Sequence, residues 1–196
     1  MNEEAAIRFL IVIVEGENEG AGNPEVDLAR IATPYYAFKD FGSEVVIATD
    51  QGGPPMLAEA MRCAHASADA AGDAVRRFRG DRNARDELAD TLGLAQIVIE
   101  DFAAAFCVGL SGSTWSDDDQ GVAALIRKFL DVGKPVALVP GKHLFVAPEG
   151  AGNGLLILGD NDCSPLCAAR ALINVVADLA TTASSDPRGF SPIYEA

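Results

Sequence analysis

Chemistry in this chain has to be sought at the bends that follow buried apolar runs, and the most informative is Lys134-Pro135-Val136-Ala137-Leu138-Val139-Pro140-Gly141-Lys142-His143. It reads as a short buried strand running into a sharp turn. Ligands of parallel α/β sheets sit beyond the carboxyl ends of strands, so this turn is expected to face the functional crevice. Pro140 stands there, and it offers no nucleophile, no acid and no backbone N–H. This is not an ordinary nucleophile elbow.

A second candidate is Gly109-Leu110-Ser111-Gly112-Ser113, which misses the Gly-x-Ser-x-Gly elbow only in its last position. A Ser111 nucleophile needs a base, and the chain holds just two histidines, His65 and His143. His143 falls at the right edge of the sheet, with Glu15 or Glu17 to orient it. Cys163 and Cys167 are four apart at the start of an expected helix, whose N-terminus would lower the pKa of Cys163. A metal or redox pair there competes with plain helix packing. Cys107, inside a strand, and Cys63, in an alanine-rich helix, read as core residues. Gly16 to Gly22 follows the first strand but lacks the dinucleotide-binding spacing and carries Glu17 and Glu19 where a pyrophosphate would lie. Gly141-Lys142 lacks the other residues of a phosphate loop. Neither a metal nor a cofactor is expected.

The elements that must position these residues alternate along the chain. Ile7 to Val14 is a nearly continuous run of branched apolar residues, as in a central parallel strand. Leu28, Ile31, Ala32, Tyr35 and Phe38 or Lys39 recur at helical spacing, and Gly42 ends that helix. Glu44 to Thr49 is a second strand, and Gln51-Gly52-Gly53-Pro54-Pro55 a turn. Leu57 to Phe78 is expected to be helical with an interruption at Gly72, Gly80 to Arg85 a polar connection, and Asp86 to Leu92 a short helix. Ala103 to Val108 is a third buried strand. Ser116 is the candidate N-cap of the next helix, with Asp117, Asp118 and Asp119 at its positive end and Val122, Leu125, Ile126, Phe129 and Leu130 as its core stripe. Strands follow at Val136 to Val139 and Leu155 to Leu158, then a helix from Ser164 to Leu179. The expected fold is a three-layer α/β sandwich with a mainly parallel central sheet, formed by one domain over residues 1–180 and an extended tail over 181–196.

Composition sets limits on partners. The 196 residues carry a formal net charge of −14, which argues against nucleic acid or an anionic membrane surface. The arginines at 76, 77, 79, 82 and 85 are interleaved with acids and read as a solvated helix face. No apolar run approaches the roughly 20 residues of a membrane span. The acidic start leads straight into a strand and is not a signal peptide, and four cysteines are too few for a disulfide scaffold. A cytoplasmic, reduced protein is expected.

Several local patterns then point one way. Ala32-Thr33-Pro34-Tyr35-Tyr36-Ala37-Phe38-Lys39-Asp40-Phe41-Gly42-Ser43-Glu44-Val45, followed by Ala48-Thr49-Asp50-Gln51-Gly52-Gly53-Pro54, resembles the ThiJ/PfpI family, and within it the glyoxalase III and deglycase-type chaperone branch. The resemblance continues through Asp90 to Ala95, Glu100-Asp101-Phe102, the strand ending near Gly109, Lys134-Pro135-Val136-Ala137 and Gly159-Asp160-Asn161. It implies a glutamine amidotransferase-like, flavodoxin-like fold and commonly a dimer. The departures fall on the chemistry. Where the family reads Val-Cys-His-Gly-Pro, this chain reads Val139-Pro140-Gly141-Lys142-His143, so the thiol becomes Pro140 and the histidine Gly141. The family's acid, four residues before the helical proline, becomes Arg30. Its Gly-Gly-His-Gly turn resembles Gly109-Leu110-Ser111-Gly112. The resemblance therefore implies a scaffold without its reactive group: a non-catalytic protein that binds a small anionic metabolite or a protein partner. The ligand-binding residues would be Arg30, Gly109, Ser111, Gly112, Pro140, Gly141, Lys142 and His143. The alternative is a hydrolase or glyoxalase-type enzyme built on Ser111 and His143.

Overall fold

The structure is a computed structural model that describes residues 6–14, 26–57, 70–110, 121–140, 155–159 and 165–184. Its strands are β1 (Arg8–Ile13), β2 (Glu44–Thr49), β3 (Leu92–Gly93), β4 (Ala104–Leu110), β5 (Val136–Pro140) and β6 (Leu156–Leu158). Its helices are α1 (Leu28–Asp40), α2 (Ala70–Gly80), α3 (Arg82–Ala89), α4 (Gly121–Asp131) and α5 (Pro165–Ser184). The strands form one sheet in the order β3-β2-β1-β4-β5-β6, and every pair of neighbours is parallel.

Alternation along the central strands makes three layers. Phe9, Ile11 and Ile13 of β1, with Phe106 and Val108 of β4, join the core shared with α1, α2 and α5. Leu10 and Val12, with Ala105 and Cys107, join the core shared with α4. Because β1 and β4 are covered on both faces, their sequences are continuously apolar instead of alternating. Phe9 stacks on Phe38 of α1 with ring centroids 4.2 Å apart, and Phe106 meets Phe38 edge-on at 5.9 Å. This triad fixes α1 above the centre of the sheet.

The ends of α1 follow from its sequence. Asp27, extended at φ −94° and ψ 160°, caps the helix by accepting from the Arg30 N–H at 3.0 Å. At the other end Gly42 takes φ +90°, its N–H donates to the Lys39 carbonyl, and Ser43 N–H donates to that of Phe38. That pair of bonds is a Schellman closure and explains why Gly42 ends the helix. Gly133 closes α4 in the same way, through the carbonyls of Leu130 and Phe129.

Four elements differ in their bounds from the sequence reading. Leu57 is not helical, and α2 runs through Gly72 unbroken from Ala70. Helix α3 begins at Arg82, because Asp81 accepts from the N–H groups of Asn83 and Ala84 and leaves no polar connection. Leu92 pairs with Ala48 as part of β3 instead of ending that helix. Helix α5 extends to Ser184, past the expected end at Leu179, with Thr181 and Thr182 donating back to carbonyls one turn earlier.

Candidate functional site

The order of the strands reverses between β1 and β4, since the chain leaves β1 toward β2 on one side and returns to β4 on the other. The carboxyl edge at such a switch point is where a parallel sheet opens a crevice. Three backbones meet there. Ile13 pairs with Val108, Val108 with Val139, and Val14 N–H donates to the Val108 carbonyl at 2.8 Å.

Gly109 allows the meeting. Its φ is +91°, and a Cβ there would lie 2.5 Å from both the Val14 carbonyl oxygen and Val26 Cγ2. Val26 immediately precedes the cap of α1, so the end of β1, the end of β4 and the start of α1 converge where only a hydrogen fits. The left-handed turn at Gly109 also slips the register of β4 against β5, which brings Leu110 opposite Pro140. β5 thus ends beside β4 in a residue with no donor and no reactive atom.

Arg30 occupies the first turn of α1 and is half-buried. That turn holds no acidic residue, and the cap is Asp27. Pro34 lies one turn on, so the Arg30 carbonyl receives no N–H from it. Of the residues expected at the site, Gly109 and Pro140 lie at the carboxyl ends of neighbouring strands, and Arg30 lies in the first turn of α1. Ser111, Gly112, Gly141, Lys142 and His143 lie outside the described residues, as do His65, Cys63, Cys163, Ser116 and the three aspartates after it. Cys107 is fully buried in β4 and burial pushes its thiol pKa up, away from thiolate chemistry. Cys167 is exposed on α5. Among the described residues no group of three or more His, Cys, Asp or Glu is arranged to hold a metal ion.

Sequence reasoning missed two supports of this edge. Thr49 and Thr91 are buried with their hydroxyls 3.0 Å apart; Thr49 Oγ1 accepts from Gly52 N–H, and Thr91 Oγ1 donates to the Gly53 carbonyl. They lock the Gly52-Gly53 turn against Gly93, which a Cβ on Gly52 would strike at 2.9 Å. The second support is the tyrosine pair after Pro34. Tyr35 donates to Glu87 at 2.8 Å and Tyr36 to Asp81 at 3.1 Å, tying α1 to α3. Each ring also carries a cation, Lys39 over Tyr35 and Arg77 over Tyr36. The signal for both lay in side-chain partners far apart in the chain, which spacing alone does not reveal.

Solved structures share this fold, three of them as follows. Rapid Encystment Protein 24 KDa of Francisella tularensis is 12% identical, covers 87% of this chain and 99% of its own, and superposes with a TM-score of 0.63. Glyoxalase III of Candida albicans is 14% identical over 86% of this chain and 96% of its own, with a TM-score of 0.57. A ThiJ/PfpI domain protein from Brachyspira murdochii is 13% identical over 87% and 96%, with a TM-score of 0.51. The chain has a ThiJ/PfpI-like fold. No family model matches its sequence, and no curated protein does. The likeness to these structures lies in the fold. Among the described residues no helix is long and apolar enough to cross a membrane.

Proposed function

We propose that this ThiJ/PfpI-like domain binds a small anion at the carboxyl edge of its sheet and performs no cysteine-dependent reaction there. What supports the reading is that β5 ends in Pro140 while the first turn of α1, which follows Val26 at the Gly109 bend, holds a half-buried arginine, Arg30. A cation in the first turn faces the positive end of the helix dipole, an arrangement unfavourable by about 0.3–1 kcal/mol at an exposed site. A bound carboxylate or phosphate reverses that sign, because it meets the guanidinium fork and the dipole together. Lys142 and His143, which follow Pro140 in sequence, add positive charge to the same region in this reading. On a chain of net charge −14 such a focus is what concentrates an anion.

A thermal-shift screen of small carboxylates and inorganic phosphate against wild type and Arg30→Ala tests it. A ligand at a hundredfold its Kd stabilises the folded state by about 2.7 kcal/mol, well within reach of such a screen. The wild type is expected to shift upward with at least one anion and the variant to shift less. No shift with any anion, or an equal shift in both proteins, would remove the proposal.

A further inference from the structure

A groove of about 520 Å³ opens between α1, α2 and α5, on the helical layer opposite α4. Its size suits a small organic molecule. Tyr36, Phe41 and Ile173 give it an apolar wall, and Arg77 and Arg170 supply polar groups.

The charges along the wall are unequal in what they leave open. Arg77 is committed: its Nη1 lies 2.8 and 2.9 Å from the two oxygens of Asp40, and its guanidinium covers the Tyr36 ring at 3.9 Å. Asp73, the other carboxylate on the wall, is held by Arg76. Arg170, exposed on α5, has no carboxylate partner among the described residues. Both acids are therefore answered, and Arg170 is left over. Thr33 is 5% exposed, and its Oγ1 is buried without a hydrogen bond. That oxygen is sealed from the groove, so Arg170 is the polar group the wall offers to a ligand.

We propose that this groove is a second ligand site, for a small aromatic carboxylate. The aromatic body lies against Tyr36, Phe41 and Ile173, and the carboxylate pairs with the guanidinium fork of Arg170. Inorganic phosphate has no apolar body to use that wall, so the groove and the carboxyl-edge crevice select different anions. Arg30 does not line the groove, and the two sites stand or fall separately.

Calorimetric titration with 2-naphthoate, and with 2-naphthamide as its uncharged counterpart, decides the matter. Naphthoate is expected to bind wild type and Arg30→Ala alike. Its affinity should fall roughly tenfold or more in Arg170→Ala, the loss of a charge-assisted hydrogen bond. The amide should bind wild type more weakly by a similar factor. Absence of naphthoate binding, equal binding by Arg170→Ala, or equal binding of acid and amide would overturn the proposal. So would sedimentation showing a dimer that Phe41→Asp and Arg170→Ala both dissolve, since a second copy would then fill the groove.

Discussion

At Gly109 a single hydrogen atom decides whether β1, β4 and the start of α1 can come together. Gly109→Ala places a methyl 2.5 Å from a carbonyl oxygen and from Val26, on a backbone at φ +91°. The strain of a non-glycine residue at positive φ and the clash both act against folding. Urea denaturation should show a loss of about 2 kcal/mol or more; a loss under 1 kcal/mol would mean that the three segments separate easily. Cys107 makes the opposite point, that a reactive side chain can be placed where it does nothing. Its thiol is buried on the α4 side of the sheet, and burial disfavours the thiolate. Iodoacetamide on the folded protein at neutral pH should therefore label Cys167 and leave Cys107 unmodified by peptide mass spectrometry.

At the scale of elements, α1 is held from both sides: by Phe9 and Phe106 beneath, and by Asp81 and Glu87 of the α2–α3 region beside it. Asp81 has two duties, capping α3 and accepting from Tyr36. The Ala84 N–H bond foremost, with help from the Tyr36 phenol and the Asn83 N–H, holds its carboxyl below the ordinary aspartate range, against the opposing effect of burial. A carboxyl with a depressed folded pKa adds stability above its unfolded value and loses it as pH falls through the folded one. Asp81→Ala should cost roughly 1–2 kcal/mol at pH 7, and the gap to wild type should close as urea titrations move below about pH 4. Tyr36 behaves as the mirror case. Burial first, then its bond to Asp81, pushes its phenol up to about 12, so its share of stability is complete below 10 and fades as pH rises toward 12. Tyr36→Phe should lack that alkaline loss.

The same elements show what a sequence reveals. β1, β2, β4 and β5 were legible because fully covered parallel strands are continuous apolar runs, and α1 because its apolar residues and Gly42 mark both face and end. The start of α3 was not, since Asp81 reads as one more charge in an arginine-rich stretch until its two N–H partners are seen. β3 is only two residues long, too short for any periodicity. At the crevice, Gly109 and Arg30 were legible as positions, but the contact that makes Gly109 indispensable comes from Val26, far away in the chain. The groove between α1, α2 and α5 left no trace in sequence, because its wall is assembled from three separated helices.

For the whole molecule, the fold is that of proteins which include a glyoxalase III, while the residue at the end of β5 is one that cannot form a covalent bond to a carbonyl. A scaffold and a reaction are separable, and function is argued from the site. On the proposed reading, replacing Pro140 by cysteine alone should not create turnover, because a lone thiol still needs an acid to manage the proton and the resemblance sets Arg30 at that position. The central claim is that the crevice binds without thiol chemistry, and incubation of the wild-type protein with methylglyoxal tests it most directly. The account predicts that methylglyoxal disappears no faster than in buffer, with or without iodoacetamide. Consumption that the protein catalyses and iodoacetamide abolishes would contradict it.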